Sequence, residues 1–594
     1  MPSSFTGHVL DVVERHGETR SYTFLRESSG GLVEDTLTYA GLDLRARELG
    51  ALLSESPGAG SRALLLYPAG LGFLEAFLGC LYSGVVAVPI PLPTNRASLD
   101  RVAGVIADCS AEIVLTDSTC HDDVVERLAQ SPPPGGPVPV VATDRLGAGR
   151  AGAWRMPALG PDSIAFLQYT SGSTSAPKGV MVTHANLLAN EQSLLHITGL
   201  TDQGGMAGWL PHFHDMGLIG MLLNPLYAGA DCAYLSPLGF MKHPFRWLEA
   251  ITRLRATCTV APDFAYGLTA NRVTDEELER LDLSSLRSAI NGAEPVRART
   301  LRAFTRRFAP VGFRQEAFQP SYGLAEATLL VAGPSLEEEP VIKEFAPAGL
   351  EAGEARETAP GTGLALVACG RPVDLDVRIV DPQTHVELAD TIVGEIWVRG
   401  GSVAAGYWNA PEKTARTFQA TLVGENGAWL RTGDLGFYED GRLFIAGRVD
   451  DMIIVNGRNF HPQDLEDAAQ GVHPAFTAQP AAAFAVEAGS RTHIILVQEI
   501  RRGMARDTTI EELAERLRAT LSSSFGLSRV GVCLVAGGVP RTTSGKVQRR
   551  RARALFLESR YRVFATALDD TVEALVRAQR SEDDGTARVP AEVR

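Results

Sequence analysis

The chain of 594 residues has only seven cysteines, and none stands in a Cys-x-x-Cys pair. An odd, scattered set makes neither a disulfide framework nor a zinc knuckle, so Cys80, Cys109, Cys120, Cys232, Cys258, Cys369 and Cys533 are expected as reduced core thiols. Basic excess is also missing. The 56 Lys and Arg against 70 Asp and Glu leave a net charge of -14, which argues against nucleic acid as a partner. The first residues, Met-Pro-Ser-Ser-Phe-Thr-Gly-His, lack a basic segment followed by an apolar one, so no secretory signal is expected and a cytoplasmic enzyme is. Long hydrophobic runs are scarce too. Residues 63–90 carry Glu75 as their only charge, but Pro68, Gly70, Gly72, Gly84 and Pro89 divide them into strand, helix and strand. That pattern fits a buried βαβ unit, and no transmembrane segment is expected.

What is present is ordinary globular composition, 45% apolar and 21% charged, in a chain too long for one core. Two domains are expected, the larger one subdivided. Short apolar runs at 111–116, 138–142, 164–169, 231–235 and 258–260 alternate with helical patterns, which predicts an α/β fold with largely parallel sheets. From Leu364 the texture changes to short strands, as at 376–380 and 394–399, which predicts a small β-rich subdomain. Arg-Val-Asp-Asp at 448–451 then precedes a smaller α+β unit, and the charged, glycine-containing tail from about Thr571 is expected as a last helix end followed by disorder. No internal repeat is evident. No Asp-Ser carrier attachment motif follows Lys546, so no fused carrier domain is expected.

Residues 168–190 pack hydroxyls, glycines and one lysine into a turn between two apolar runs. Thr170, Ser171, Ser173, Thr174 and Ser175 offer hydroxyls, Gly172 lets backbone N–H groups approach an anion, and Lys178 adds a mobile cation. The flanks read as strands over 164–169 and 179–182, with Thr183 placed to cap a helix. Five residues separate Gly172 from Lys178 and a glycine follows the lysine, so this is not a Walker A loop. It resembles the phosphate loop of the adenylate-forming enzymes: acyl-CoA synthetases, adenylation domains of peptide synthetases, luciferases and fatty acyl-AMP ligases.

Further motifs follow in family order across residues 10–556. Gln319-Pro320-Ser321-Tyr322-Gly323-Leu324-Ala325-Glu326 joins an aromatic face to a carboxylate four residues on. The resemblance assigns adenine stacking to Tyr322 beside Gly323, and Mg²⁺ binding to Glu326. It implies that Asp434, in Arg431-Thr432-Gly433-Asp434, grips the ribose, that the backbone of Gly292 and Ala293 passes the adenine ring, and that Arg448 contacts ribose or phosphate. Asp450 would be the hinge and Gly457 would line the path of an incoming pantetheine thiol. Lys546, on the flexible Thr-Thr-Ser-Gly-Lys loop, would stabilise the meeting of carboxylate and α-phosphate. His214, in His-Asp-Met-Gly, would lie near the reacting carboxylate, and the apolar run after it would wall an acyl tunnel or form a plain buried helix.

The resemblance therefore implies a large domain over 1–447 with two α/β sheets and a β-barrel-like subdomain, holding the ATP and acyl pockets. A hinge at 448–451, a small mobile α+β domain over 452–570 with the catalytic lysine, and a helix end and tail over 571–594 would complete the chain. ATP and Mg²⁺ are the implied cofactors. Trp209-Leu210-Pro211, Ala261-Pro262-Asp263-Phe264-Ala265-Tyr266, and Gly457-Arg458-Asn459 with Pro462 look like fatty acyl-AMP ligases in particular. A polar segment between Gly333 and Gly370 stands where those ligases carry an insertion that disfavours free CoA. Asp263 departs from an expected Asn, and His461 from an expected Tyr. The implied function is activation of a fatty acid to acyl-adenylate, then transfer to the phosphopantetheine thiol of a separate acyl carrier protein. Arg549, Arg550, Arg551 and Arg553 offer a docking face for that acidic partner. A fatty acyl-CoA synthetase and a non-catalytic nucleotide-binding scaffold are the alternatives.

Overall fold

The computed structural model describes residues 4–28, 31–133, 135–170, 177–449, 451, 453–455, 458–477, 479–488, 491–501, 503, 508–541 and 547–577. They fall into two compact units. The first comprises Met1–Phe345, Glu357–Thr432 and Gly436–Ile445, and the second Ala346–Arg356, Gly433–Leu435 and Ala446–Arg594.

The widest sheet of the first unit runs Phe318–Pro320, Ser288–Gly292, Cys258–Pro262, Gly205–Gly208, Asp231–Leu235, Ser21–Ser28, Gly31–Thr38. Every neighbouring pair is parallel except the last. A second sheet runs Val140–Ala142, Ile113–Thr116, Arg62–Leu65, Val86–Pro89, Ile164–Thr170, Lys178–Thr183, parallel up to its final antiparallel pair. Strands such as Val86–Pro89 and Ile113–Thr116 are buried at every position, which is why they read as unbroken apolar runs.

Residues 63–90 form the expected strand, helix Leu71–Ser83 and strand, with the two strands parallel neighbours. Gly84 ends the helix at a φ of +71° and donates its N–H back to Cys80 and Leu81. Gly79 lets this helix meet Tyr39–Glu55 closely, since a Cβ there would lie 2.7 Å from the Leu49 side chain. No helix among the described residues is long and apolar enough to cross a membrane. All seven cysteines are free thiols, six of them buried and Cys120 half-buried.

The later strands Asp376–Val380 and Gly394–Arg399 pair antiparallel and open a four-stranded sheet with Leu430–Glu439 and Arg442–Arg448. The polar segment after Gly333 is built rather than loose: Ile342–Phe345 and Leu364–Val367 form an antiparallel pair. Lys343 Nζ reaches Glu357, Glu439 and Asp440 at 2.9, 3.0 and 2.8 Å, and Glu344 Oε2 accepts from Thr362 N and Gly363 N at 3.0 Å each.

The second unit is α+β. Its sheet runs Ala481–Ala488, Arg491–Glu499, Val530–Val535, Val563–Ala567, with only the central pair parallel. The helix Ile510–Phe525 starts at a Thr509–Glu512 capping box and stops at left-handed Gly526. Leu513, Leu517 and Leu521 on its inner face join Leu496, Val532 and Leu534 in the core.

Candidate active site

Four adjacent strand ends of the widest sheet carry the motifs singled out in the sequence. Gly205–Gly208, Cys258–Pro262, Ser288–Gly292 and Phe318–Pro320 are parallel, and the chain leaves their carboxyl ends through residues 209–214, Asp263, Ala293 and Tyr322. Ligands of open parallel sheets bind along this edge.

On the adenine side, Asn291 pairs with Pro320, and Ser321 N donates to Asn291 O at 2.9 Å, which sets Gly292 and Ala293 beside the turn of Tyr322 and Gly323. A Cβ on Gly292 would lie 3.0 Å from Ser321 O, a tight approach, and one on Gly323 only 1.9 Å from Leu329 O, so position 323 needs glycine. Ala293 adopts a φ of +66°, uncommon for a residue with a side chain. Asp263 is buried; its carboxylate accepts from Asn291 Nδ2 at 3.0 Å, Arg297 N at 3.1 Å and Thr300 Oγ1 at 2.7 Å. Burial pushes this carboxyl up against the pull of Arg297. The departure from Asn thus gives a residue that braces the loop after Gly292.

His214, expected near the reacting carboxylate, has its Nδ1 2.7 Å from Asp215 Oδ1. Asp215 also accepts from Met216 N at 2.7 Å and caps the following helix, Met216–Leu223. That helix is wound as a π-helix, a form that recurs at functional sites, and all its residues are buried. Nearby His212 is buried against Phe73, ring centres 4.1 Å apart, and burial pushes its imidazole down to about 3.

On the phosphate side, Thr170 and Lys178 are paired partners at the ends of their antiparallel strands. The residues between them that carry the expected phosphate contacts, Ser171, Gly172, Ser173 and Thr174, lie outside the described residues. So do Asp450, Gly457 and Lys546. Glu326 is half-buried in the short turn Ala325–Ala327, and its Oε1 accepts from Tyr407 Oη at 2.7 Å. The donor chemistry fits Mg²⁺: one hard carboxylate suffices for an ion that keeps waters and phosphate oxygens as its other ligands. Tyr407 was not legible as a site residue. Its only signal was an aromatic pair, Tyr407-Trp408, between Gly406 and Pro411.

In the second unit, Asp434 Oδ1 lies 3.4 Å from Arg448 Nε, and Val449 N donates to the carbonyl of left-handed Gly433 at 2.9 Å. Asp434, expected to grip the ribose, and Arg448, expected to contact ribose or phosphate, are thus brought together. His461 is buried there, its imidazole pushed down to about 4 by burial, and a Cβ on Gly447 would lie 2.4 Å from its ring.

One expectation is corrected. Arg549 does not belong to an exposed docking face, because its guanidinium is drawn into the unit by Glu466 at 2.7 Å and Asp451 at 2.9 Å, leaving 13% of the side chain exposed. Burial opposes its charge, yet the two carboxylates hold it above the ordinary arginine value. Arg550, Arg551 and Arg553 are exposed.

The profile of the AMP-binding enzyme family matches residues 11–408. The chain belongs to that family. A medium-chain-fatty-acid–[acyl-carrier-protein] ligase, JamA of Moorena producens, is 40% identical over 550 residues, covering 91% of this chain and 92% of that one. The long-chain-fatty-acid–AMP ligase FadD23 of Mycobacterium tuberculosis is 37% identical over 567 residues, covering 92% and 96%. A fatty acyl-adenylate ligase of Legionella pneumophila, solved with acyl adenylate and pyrophosphate, superposes with a TM-score of 0.74 at 35% identity over 96% of this chain and 98% of that one. Its relatives within the AMP-binding family are named fatty-acid ligases of both the AMP and the CoA kind, and adenylate-forming enzymes of this family use ATP.

Proposed function

We infer that this AMP-binding enzyme condenses a fatty acid with Mg·ATP to acyl-AMP and pyrophosphate, then passes the acyl group to the phosphopantetheine thiol of a separate acyl carrier protein, serving polyketide, lipopeptide or lipid biosynthesis. In the first step a carboxylate oxygen bonds to the α-phosphorus, and the bond from that phosphorus to the bridging oxygen breaks, so the electron pair leaves with pyrophosphate. Tyr322 stacks on adenine between Gly323 and the backbone of Gly292 and Ala293. Asp434 accepts from the ribose hydroxyls, steadied by Arg448. Thr170, Ser171, Gly172, Ser173, Thr174 and Lys178 hold the phosphates, His214 orients the acid, and Lys546 offsets charge as carboxylate and phosphate meet. Glu326 would hold Mg²⁺, which supplies charge neutralisation on the phosphates.

In the second step the thiol sulfur attacks the acyl carbon, AMP leaves, and the thiol proton is released. The small domain, 452–570, turns on Asp450 within the hinge 448–451 to open the thiol path beside Gly457. Arg550, Arg551 and Arg553 meet the acidic carrier. The observation that carries the adenylation reading is the row of four strand ends bearing the acyl and adenine motifs along one edge. The carrier as acceptor is supported by the similarity to JamA and by the pinned hairpin of 342–367 where a CoA-disfavouring insertion is expected.

The test is acid-dependent pyrophosphate release with ATP and a series of fatty acids, with products identified by mass spectrometry with and without CoA. Acyl-AMP that persists in the presence of CoA is expected. Ready conversion to acyl-CoA would favour the synthetase alternative.

A further inference from the structure

The loop around Gly406 brings a second lysine to the phosphate side of the site. Met181 N donates to Gly406 O at 2.9 Å and Trp408 N to Gly179 O at 2.7 Å, so this loop runs alongside Lys178–Thr183. Ala404 N donates to Glu326 O at 2.9 Å, tying the loop to the turn of Glu326 as well. Tyr407 N then donates to Thr414 Oγ1 at 2.9 Å, which fixes the helix Pro411–Phe418 against the same loop. Lys413 is left with its ammonium 5.1 Å from the centre of the Tyr407 ring, the ring whose hydroxyl bonds Glu326, and near enough to Lys178 to feel its charge.

Two half-buried ammoniums near one another repel each other, and the single carboxylate of Glu326 cannot balance both. Burial first, and Lys178 second, push the Lys413 ammonium down to about 8, while Glu326 pulls the other way. Backbone bonds from Met181 to Gly406, Trp408 to Gly179 and Ala404 to Glu326 hold the segments that carry these charges together in advance, as is expected where a multivalent anion joins the charges. We propose that Lys413 is a phosphate-binding residue that acts with Lys178 on the β- and γ-phosphates of ATP and on the departing pyrophosphate. As the bridging oxygen takes the electron pair from the α-phosphorus, the two ammoniums lie where the charge on the leaving group grows. The Tyr407 ring holds the lysine stem in place.

The proposal rests on adenylation at this site and is tested without carrier or CoA. ATP KM, inhibition by inorganic pyrophosphate and affinity for AMP are measured on the full chain, as wild type, Lys413→Gln and Lys413→Arg. Lys413→Gln is expected to raise the ATP KM and the pyrophosphate inhibition constant about tenfold while AMP affinity stays within about twofold, and Lys413→Arg to recover most of the loss. An unchanged pyrophosphate constant, or equal weakening of AMP and pyrophosphate, overturns the proposal. Should the Gln variant fail to fold, Lys413→Met, which keeps the stem over Tyr407, takes its place with the same two outcomes. Wild-type protein that forms no acyl-AMP would instead refute the adenylation reading beneath it.

Discussion

Tyr407 donates its hydroxyl hydrogen to Glu326 Oε1 across 2.7 Å, joining a loop to a turn 81 positions earlier in the chain. The bond fixes one oxygen of the carboxylate expected to meet Mg²⁺. Metal-ligating carboxylates depend on such partners for orientation. Tyr407→Phe keeps the ring beneath Lys413 and removes this bond. It should lower kcat/KM about tenfold and raise the Mg²⁺ concentration needed for half-maximal rate. An Mg²⁺ titration of acyl-AMP formation checks it; an unchanged titration midpoint would show that the bond has no part in metal binding.

Glu191 is buried on the helix His184–Thr198, where Asn224 Nδ2 donates to its Oε2 at 2.9 Å. Its Oε1 and Asn224 Oδ1 both lack a hydrogen-bond partner among the described residues. Burial pushes this carboxyl well above the carboxylate range, against the pull of the Asn224 bond. The folded value is raised, so the native state holds a proton that the unfolded chain releases above about pH 4.3. The stabilisation is full below that pH and is lost as pH rises towards the folded value. Glu191→Gln, an uncharged mimic, should therefore match or exceed the wild-type melting temperature, with the advantage growing from pH 5 to pH 8. Glu191→Ala should cost about 2–4 kcal/mol at pH 5 through the cavity and the stranded amide, and less at pH 8, because it too lacks the group whose protonation weakens the wild type there. Melting curves at the two pH values decide it.

Asp434 and Arg448 offer a cleaner separation of function from stability. Arg448 is half-exposed, so the pair is worth about 1 kcal/mol or less to folding. Asp434→Ala should leave the melting temperature nearly unchanged, yet raise the ATP KM by more than about tenfold if it loses both ribose hydroxyls. Parallel losses of stability and affinity would mean that the pair is only structural.

Arginines adjacent in sequence should behave in opposite ways. Arg549→Ala leaves the buried carboxylate of Glu466 uncompensated and should cost about 3–5 kcal/mol in the second unit. Reversing Arg550 and Arg551 to Glu should spare the melting temperature and adenylation while slowing transfer to an acidic carrier protein, more so at low salt. Transfer kinetics that do not change would remove the docking face.

Much of the fold was legible because its strands are buried on both faces and so are written as apolar runs, as at 111–116 and 164–169. The adenine and acyl motifs were legible for a different reason: parallel neighbours send their carboxyl ends to one edge, which places Ala293 beside Tyr322. Tyr407 and Lys413 were not, since the backbone bonds that carry them to Glu326 and Lys178 link distant segments and leave no local pattern. The burial of Arg549 was equally hidden. In sequence it is the first of a basic run, and only the approach of Glu466 and Asp451 distinguishes it from Arg550.

The central claim is the choice of acceptor. Acyl-AMP formed in place by the wild-type enzyme is chased with equimolar free CoA and phosphopantetheine-bearing acyl carrier protein in one vessel, and both thioesters are quantified by mass spectrometry. Acyl-carrier thioester is expected as the dominant product, with AMP released in step. Acyl-CoA forming as fast as, or faster than, the carrier thioester would contradict it.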